Sequence, residues 1–213
     1  MISYEGNFIF FHNPKAAGSS VIRKLLDESK YQCVLNKNNE ALVEYLSKKN
    51  VLWPNHAPPK LIRDFLGKET YQKYFKFSFV RDPRSRLLST YFYTKQKEQE
   101  LYDKQSISLP KFNRDILESK NFEDWIINFN NLPEPQINFF TDNGEMIVDF
   151  IGKTEFLSSE LNKIKNILQI KDAEIGSLNT SQHQSYDTYF TEQMNKIVRE
   201  KYTDDFKFFG YEI

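Results

Sequence analysis

Cysteine is almost missing from this chain. Cys33 is the only one in 213 residues, so no disulfide can form within it. A lone thiol fits a reducing compartment and reads as a buried structural residue. Net charge is missing too, because 29 Lys and Arg balance 29 Asp and Glu. Bulk positive charge is therefore not available to bind nucleic acid, although a local basic groove stays open. Long apolar runs are also lacking. Phe8–Phe11 is too short for a signal-peptide core or a membrane span, and no basic segment precedes it. These absences predict a protein without membrane insertion, cytoplasmic, whose fold begins close to Met1. Histidine is scarce, with only His12, His56 and His183. No internal repeat or low-complexity segment is evident.

What is present is core material. Hydrophobic residues make up 39% and aromatics 15%, with 19 Phe and 12 Tyr, which is not a disordered composition. The length fits one α/β domain over 1–213. Phe8–Phe11 and Lys76–Val80 read as strands buried on both faces, as in a parallel sheet. Shorter strands are expected at Gln32–Leu35, Val51–Trp53 and Met146–Ile151. Helices are expected from Ser20 to about Ser29, from Asn38 or Asn39 to about Lys49, and over Lys60–Leu66 with Gly67 closing. Asp82 reads as the N-cap of a further helix with Pro83 at its first position. Asn121 caps another, Ser158 or Ser159 starts one, and Thr191–Tyr202 forms the last before an aromatic tail. From Lys95 to about Lys120 the sequence is polar and poorly patterned, which predicts a variable insertion over the sheet. Trp53, Trp125 and most Phe and Tyr read as core. Strands alternating with helices give a P-loop-like three-layer fold with a central parallel sheet flanked by helices.

The chemistry concentrates in two strand-to-helix turns. The first is Pro14-Lys15-Ala16-Ala17-Gly18-Ser19-Ser20. It brings a cation, two hydroxyls and the N–H groups of a helix start to one point, which attracts a phosphate-like anion. It is not a Walker A loop, because Lys15 precedes Gly18 and no Ser or Thr follows a Lys there. The usual Mg²⁺-triphosphate arrangement is thus missing. The plain alternative is that Gly18 merely eases a turn and Lys15 is solvated. The second turn, Phe77-Ser-Phe-Val-Arg-Asp-Pro-Arg-Ser-Arg-Leu-Leu-Ser-Thr-Tyr91, repeats the design. A strand ends in Arg81 and a helix begins at once. Arg81 can fork two hydrogen bonds to a phosphate and Ser89 can add a hydroxyl. Arg84 and Arg86 read as solvated or paired surface charges, and Asp82 as a cap rather than an acid.

Together the two turns resemble those of sulfotransferases that use 3′-phosphoadenosine 5′-phosphosulfate (PAPS). The spelling Pro-Lys-Ala-Ala-Gly-Ser-Ser is closest to the carbohydrate branch, of the heparan 2-O- and chondroitin type. Val148–Leu157, Leu178–Ser181 and Asp204–Tyr211 also resemble that branch. The resemblance implies in-line transfer of a sulfuryl group to an acceptor hydroxyl, on a carbohydrate or small molecule, releasing 3′-phosphoadenosine 5′-phosphate without a metal. It implies that Lys15 neutralises the leaving oxygen. Ala16, Ala17, Gly18, Ser19 and Ser20 would hold the 5′-phosphate. Arg81 and Ser89 would hold the 3′-phosphate, with Asn179 and Thr180 closing over the nucleotide. His56, in a Pro-rich turn before the second strand, takes the place of that branch's general base; a structural turn His is the alternative. His12 lies at the mouth of the first strand and reads as packing there. Two other functions stay open on the same fold, a P-loop-type phosphotransferase and a nucleotide-binding relative without catalysis.

Overall fold

The computed structural model describes residues 1–28, 32–97, 111–129, 131–169 and 188–212. In chain order the elements are β1 (Ile2–Ser3), β2 (Phe8–Phe11), α1 (Gly18–Glu28), α2 (Glu40–Ser47), α3 (Pro59–Leu66), α4 (Lys68–Lys73), β3 (Phe75–Val80) and α5 (Pro83–Lys97). They continue with α6 (Lys111–Glu118), α7 (Phe122–Asn128), α8 (Gln136–Phe140), β4 (Thr141–Asp142), β5 (Glu145–Met146), β6 (Phe150–Lys153), α9 (Leu157–Ile167), α10 (Glu192–Lys201) and α11 (Thr203–Phe209). The chain forms two compact units. One joins Met1–Arg81 to the segment that starts at Asn138; the other joins Asp82–Ile137 to the C-terminal segment.

The first unit holds the sheet, in the order β1-β2-β3-β6. β2, β3 and β6 run parallel, and only the short β1 is antiparallel. Parallel strands are covered on both faces, so their sequence is apolar throughout rather than alternating. Phe8, Phe10, Phe77 and Phe79 share one face and form a core with Val21 of α1 and Leu161 and Ile164 of α9. Cys33 is half-buried and packs against that core. On the other face Phe11 meets Tyr71 of α4, with ring centres 6.3 Å apart. Lys76 is buried on this same face, where its Nζ meets the Tyr74 carbonyl at 2.7 Å and Asp149 at 2.9 Å. The charge is tolerated because each partner is an oxygen acceptor in place of water.

The expected α/β architecture, a central mostly parallel sheet flanked by helices, is present. Several local expectations change. Gln32–Leu35 makes only an isolated bridge, between Ile2 and Val34, and Val51–Trp53 is no strand. The first stretch meets β1 at a single residue pair, too short a contact for a ladder. The late strand splits into β5, which pairs with β4 in a hairpin, and β6, which joins the main sheet. The cap signals act as their chemistry requires. Asn39 and Asn121 accept from the N–H groups of Leu42 and Asp124, and Asp82 accepts from that of Arg84.

The second unit is helical. Leu87, Tyr91, Ile116, Trp125, Met194, Val198, Tyr202 and Phe206 form its core. The expected aromatic tail is in fact helix α11, which supplies Phe206 to that core. Arg86 is buried rather than on the surface, and donates to the Glu134 carbonyl at 2.9 Å. Asp205 accepts from the N–H groups of Gln136 and Ile137, each at 2.8 Å, and the Tyr202 hydroxyl donates to the Pro133 carbonyl at 2.7 Å. Three side chains thus satisfy the backbone of 133–137, a pairing of distant positions that no local pattern announces. Arg84 pairs with Asp82 at 3.0 Å, as expected for a paired charge.

Gly152 on β6 is fixed by space. A Cβ there would come within 2.7 Å of the Phe79 ring and 3.1 Å of the Glu160 Cβ. Phe79 is buried and cannot swing away. Gly152→Ala is expected to cost about 1–3 kcal/mol by overpacking, read as a lowered urea midpoint at unchanged m.

Candidate active site

β2 and β3 are parallel neighbours, with Phe11 opposite Ser78. Their carboxyl ends therefore open at one sheet edge, where ligands of open α/β sheets bind. Lys15 follows β2 and Arg81 follows β3. Asn13 fixes the two ends together by donating its Nδ2 to the Phe79 carbonyl at 3.0 Å. Ser78 adds a buried bond from its hydroxyl to the Phe11 carbonyl at 2.7 Å. Lys153 ends β6 opposite Val80, which brings a third cation to the same edge.

The loop itself has an unusual backbone. Lys15 and Ala17 both have positive φ, 64° and 55°. Neither is glycine, so each conformation costs about 1–2 kcal/mol and persists only because the surroundings impose it. Left-handed residues near a helix start turn successive N–H groups toward one point, the geometry of an anion nest. α1 then starts at Gly18, with the Ser19 and Ser20 side chains exposed in its first turn. The first N–H groups of a helix have no carbonyl one turn back to bond.

Gly18 has an ordinary φ, so its need is again spatial. A Cβ there would fall 1.7 Å from His12 Cδ2 and 2.1 Å from Nε2. The His12 ring lies directly over the Gly18 Cα. It stacks on Phe10 at 6.3 Å and meets the His56 ring at 4.2 Å. Its Nδ1 is buried with no hydrogen-bond partner among the described residues. The sequence pattern reads His12 as packing and carries no sign of its contacts with Gly18 and His56.

His56 closes a one-turn 3₁₀ segment, Pro54–His56, and is half-buried. Asn36 holds that turn by donating to the Pro54 carbonyl at 3.0 Å, and Asn55 Oδ1 accepts from the Lys37 N–H at 3.1 Å. His56 Nδ1 lies 3.0 Å from the His12 carbonyl. A carbonyl can only accept, so Nδ1 carries the proton and Nε2 keeps its lone pair. Burial lowers the His56 pKa most; the bond to the His12 carbonyl works against this, and the Lys15 charge lowers it further. The ring is therefore neutral at physiological pH and able to accept a proton.

Of the sequence candidates, Lys15, Ala16, Ala17, Gly18, Ser19, Ser20, His56 and Arg81 all belong to the sheet-bearing unit. Ser89 lies on α5 and is half-buried. Asn179, Thr180 and His183 lie outside the described residues. Trp53, expected in the core, is 41% exposed, whereas Trp125 is fully buried. Asn13, Asn36 and Lys153 have no local sequence signal; only the parallel pairing and the long-range bonds reveal them. Among the described residues no group of three or more His, Cys, Asp or Glu is arranged to hold a metal ion. Among them, too, no helix is long and apolar enough to cross a membrane.

These features define an α/β protein of P-loop-like type, whose phosphate-type turn is spelled without the Walker A lysine. The model of the Sulfotransferase family matches residues 1–212, and the chain belongs to that family. It is also similar to an uncharacterized protein of Archaeoglobus fulgidus, 29% identical over 132 residues that cover 61% of this chain and 96% of the relative. No solved structure matches it.

The neutral His12 has a consequence for acid stability. Burial, then the charges of His56, the chain amino group and Lys15, push its pKa from 6.5 down to about 3. A protonated His12 is thus tolerated better in the unfolded chain. The stability contributed by the neutral ring is complete above pH 6.5 and is lost as pH falls toward about 3. His12→Phe, which cannot titrate, is expected to flatten the acid limb of unfolding free energy by up to about 1.4 kcal/mol per pH unit. Urea titrations from pH 7 to pH 4 read the difference; equal slopes in both proteins would refute it.

Proposed function

We propose that this chain is a PAPS-dependent sulfotransferase acting on an acceptor hydroxyl, of a sugar or another small or cell-envelope molecule. The observation that carries the reading is the sharing of one sheet edge by the Lys15–Ser20 turn and Arg81, with a neutral, oriented imidazole against the same turn. Two anion-binding groups at that edge suit a donor with phosphate at both ends. The amides of Ala17 and Gly18 and the hydroxyls of Ser19 and Ser20 take the 5′-phosphosulfate, while Ala16, whose N–H donates to the Asn13 carbonyl at 3.3 Å, shapes the turn around it. Arg81 takes the 3′-phosphate. Ser89, Asn179 and Thr180 are assigned to the nucleotide on the sequence pattern alone.

In the reaction the acceptor oxygen forms a bond to sulfur while the bond from sulfur to the phosphate oxygen breaks. The acceptor proton passes to His56 Nε2, and the leaving phosphate oxygen gains the negative charge. Lys15 meets that charge. A preorganised donor at such a point contributes about 10²–10³ in rate. A positioned base contributes about 10²–10⁴. No step calls on a metal. The single cysteine supports a cytoplasmic setting. The stretch from about 95 to 143, which fits the family pattern least, is assigned to acceptor recognition.

Calorimetry with 3′-phosphoadenosine 5′-phosphate tests the donor assignment. Binding at submillimolar concentration is expected, weakened at least about tenfold by Lys15→Ala or Arg81→Ala, the scale of one charge-assisted hydrogen bond. A folded sample that fails to bind sinks the proposal. Stabilisation by Mg-ATP but not by the bisphosphate nucleotide would indicate a phosphotransferase instead. Nucleotide binding without transfer from labelled PAPS across a broad acceptor panel would indicate a binding protein. Where transfer is detected, kcat/KM should rise with pH on an acid limb centred below 6.5 and stay level above it, since a pKa lowered from 6.5 keeps the base free at neutral pH. His56→Ala should remove that limb along with most of the rate.

A further inference from the structure

His12 touches both halves of the proposed machinery. Its ring covers Gly18, where a Cβ would come within 1.7 Å, and lies 4.2 Å from the His56 ring. Its carbonyl accepts from His56 Nδ1 at 3.0 Å. Phe10, fully buried in the sheet, backs the same ring. We propose that His12 is a positioning residue, whose carbonyl selects the His56 tautomer and whose ring wedges His56 at a set distance from the Lys15–Ser20 turn. This rests on the reading of His56 as the base, but it concerns the orientation of His56 and can be measured without turnover.

A carbonyl acceptor alone leaves an imidazole free to swing about its own bonds. A ring packed against the imidazole at 4.2 Å, tilted by 53°, removes that freedom, as do the supports behind other catalytic histidines. The wedge works only if the residue beneath it has no side chain. Gly18 meets this need, so the glycine of the turn serves the base through His12 as well as the anion. The buried Nδ1 of His12 has no partner among the described residues, and a ring kept merely for packing would be better served by Phe. A neutral imidazole beside the Lys15 turn is instead a polarisable wall of the right thickness, adding no charge at physiological pH.

The chain has only three histidines, so ¹⁵N-histidine labelling gives a spectrum that His56→Gln and His183→Gln assign. Two-bond ¹H–¹⁵N correlations from pH 4 to pH 8 read tautomer and titration for each ring. In the parent protein His56 should show the Nδ1–H tautomer and titrate below 6.5. His12→Ala keeps the carbonyl but removes the ring that holds His56 against it, so the preference for that tautomer should fall about fivefold, the scale of one hydrogen bond loosened, and the titration should move up toward 6.5. His12→Phe restores a wedge and should recover most of the tautomer preference. Gly18→Ala should disturb His56 as His12→Ala does. Its own destabilisation should shrink in the double variant, where the ring it strikes is gone. An unchanged His56 spectrum in both His12→Ala and Gly18→Ala overturns the proposal. So does additive destabilisation in the double variant. If His12→Ala does not fold, His12→Phe and Gly18→Ala still decide. Transfer activity of His56→Ala tests the base reading separately: activity retained there removes the base, yet leaves the spectral result standing.

Discussion

The pairing of β2 with β3 is the constraint on which the site depends. Two parallel neighbours with Phe11 opposite Ser78 must end at the same edge. Whatever follows each strand then starts within about 5 Å of the other, the spacing of adjacent strands. Lys15 and Arg81 are 66 residues apart in the sequence yet follow neighbouring strands. Asn13 makes the alignment specific, since its side chain reaches from the end of one strand to the Phe79 carbonyl of the next. Without that register the two cations would belong to unrelated surfaces.

Local strain surrounds the site and is held by long-range packing. Lys15 and Ala17 occupy left-handed backbone without being glycine. Gly18 and Gly152, by contrast, have ordinary backbone angles and are glycine because an aromatic ring occupies the place of a side chain. The usual assignment of glycine to turns and of side chains to regular backbone is thus inverted around this edge. The fold spends its conformational tolerance on the anion turn and its steric tolerance on the rings of His12 and Phe79.

The legible parts of the sequence were those decided by neighbours in the chain. The two strand-to-helix turns, the caps at Asn39, Asp82 and Asn121, and the buried strand Phe8–Phe11 each follow from a few consecutive residues. What the sequence hid was decided across long separations. Arg86 looked solvated because its acceptor, the Glu134 carbonyl, lies 48 residues away. The C-terminal aromatics looked like a tail because the core that makes α11 a helix is built from Leu87, Tyr91 and Trp125. At the site, Lys15 and His56 could be singled out by type and place, but the contact of His12 with Gly18 could not. A six-residue step with a turn inside it has no periodicity to read.

The two tryptophans divide between the two units. Trp53 precedes the His56 turn in the sheet-bearing unit and is 41% exposed; Trp125 lies at the centre of the helical unit with no exposure. One indole is in contact with water and the other is enclosed by Tyr91 and Phe122. Their emission is therefore separable by colour and by access to a soluble quencher. The chain carries an intrinsic optical label on each of its halves, so that loss of structure in either can be followed by itself without any dye attached.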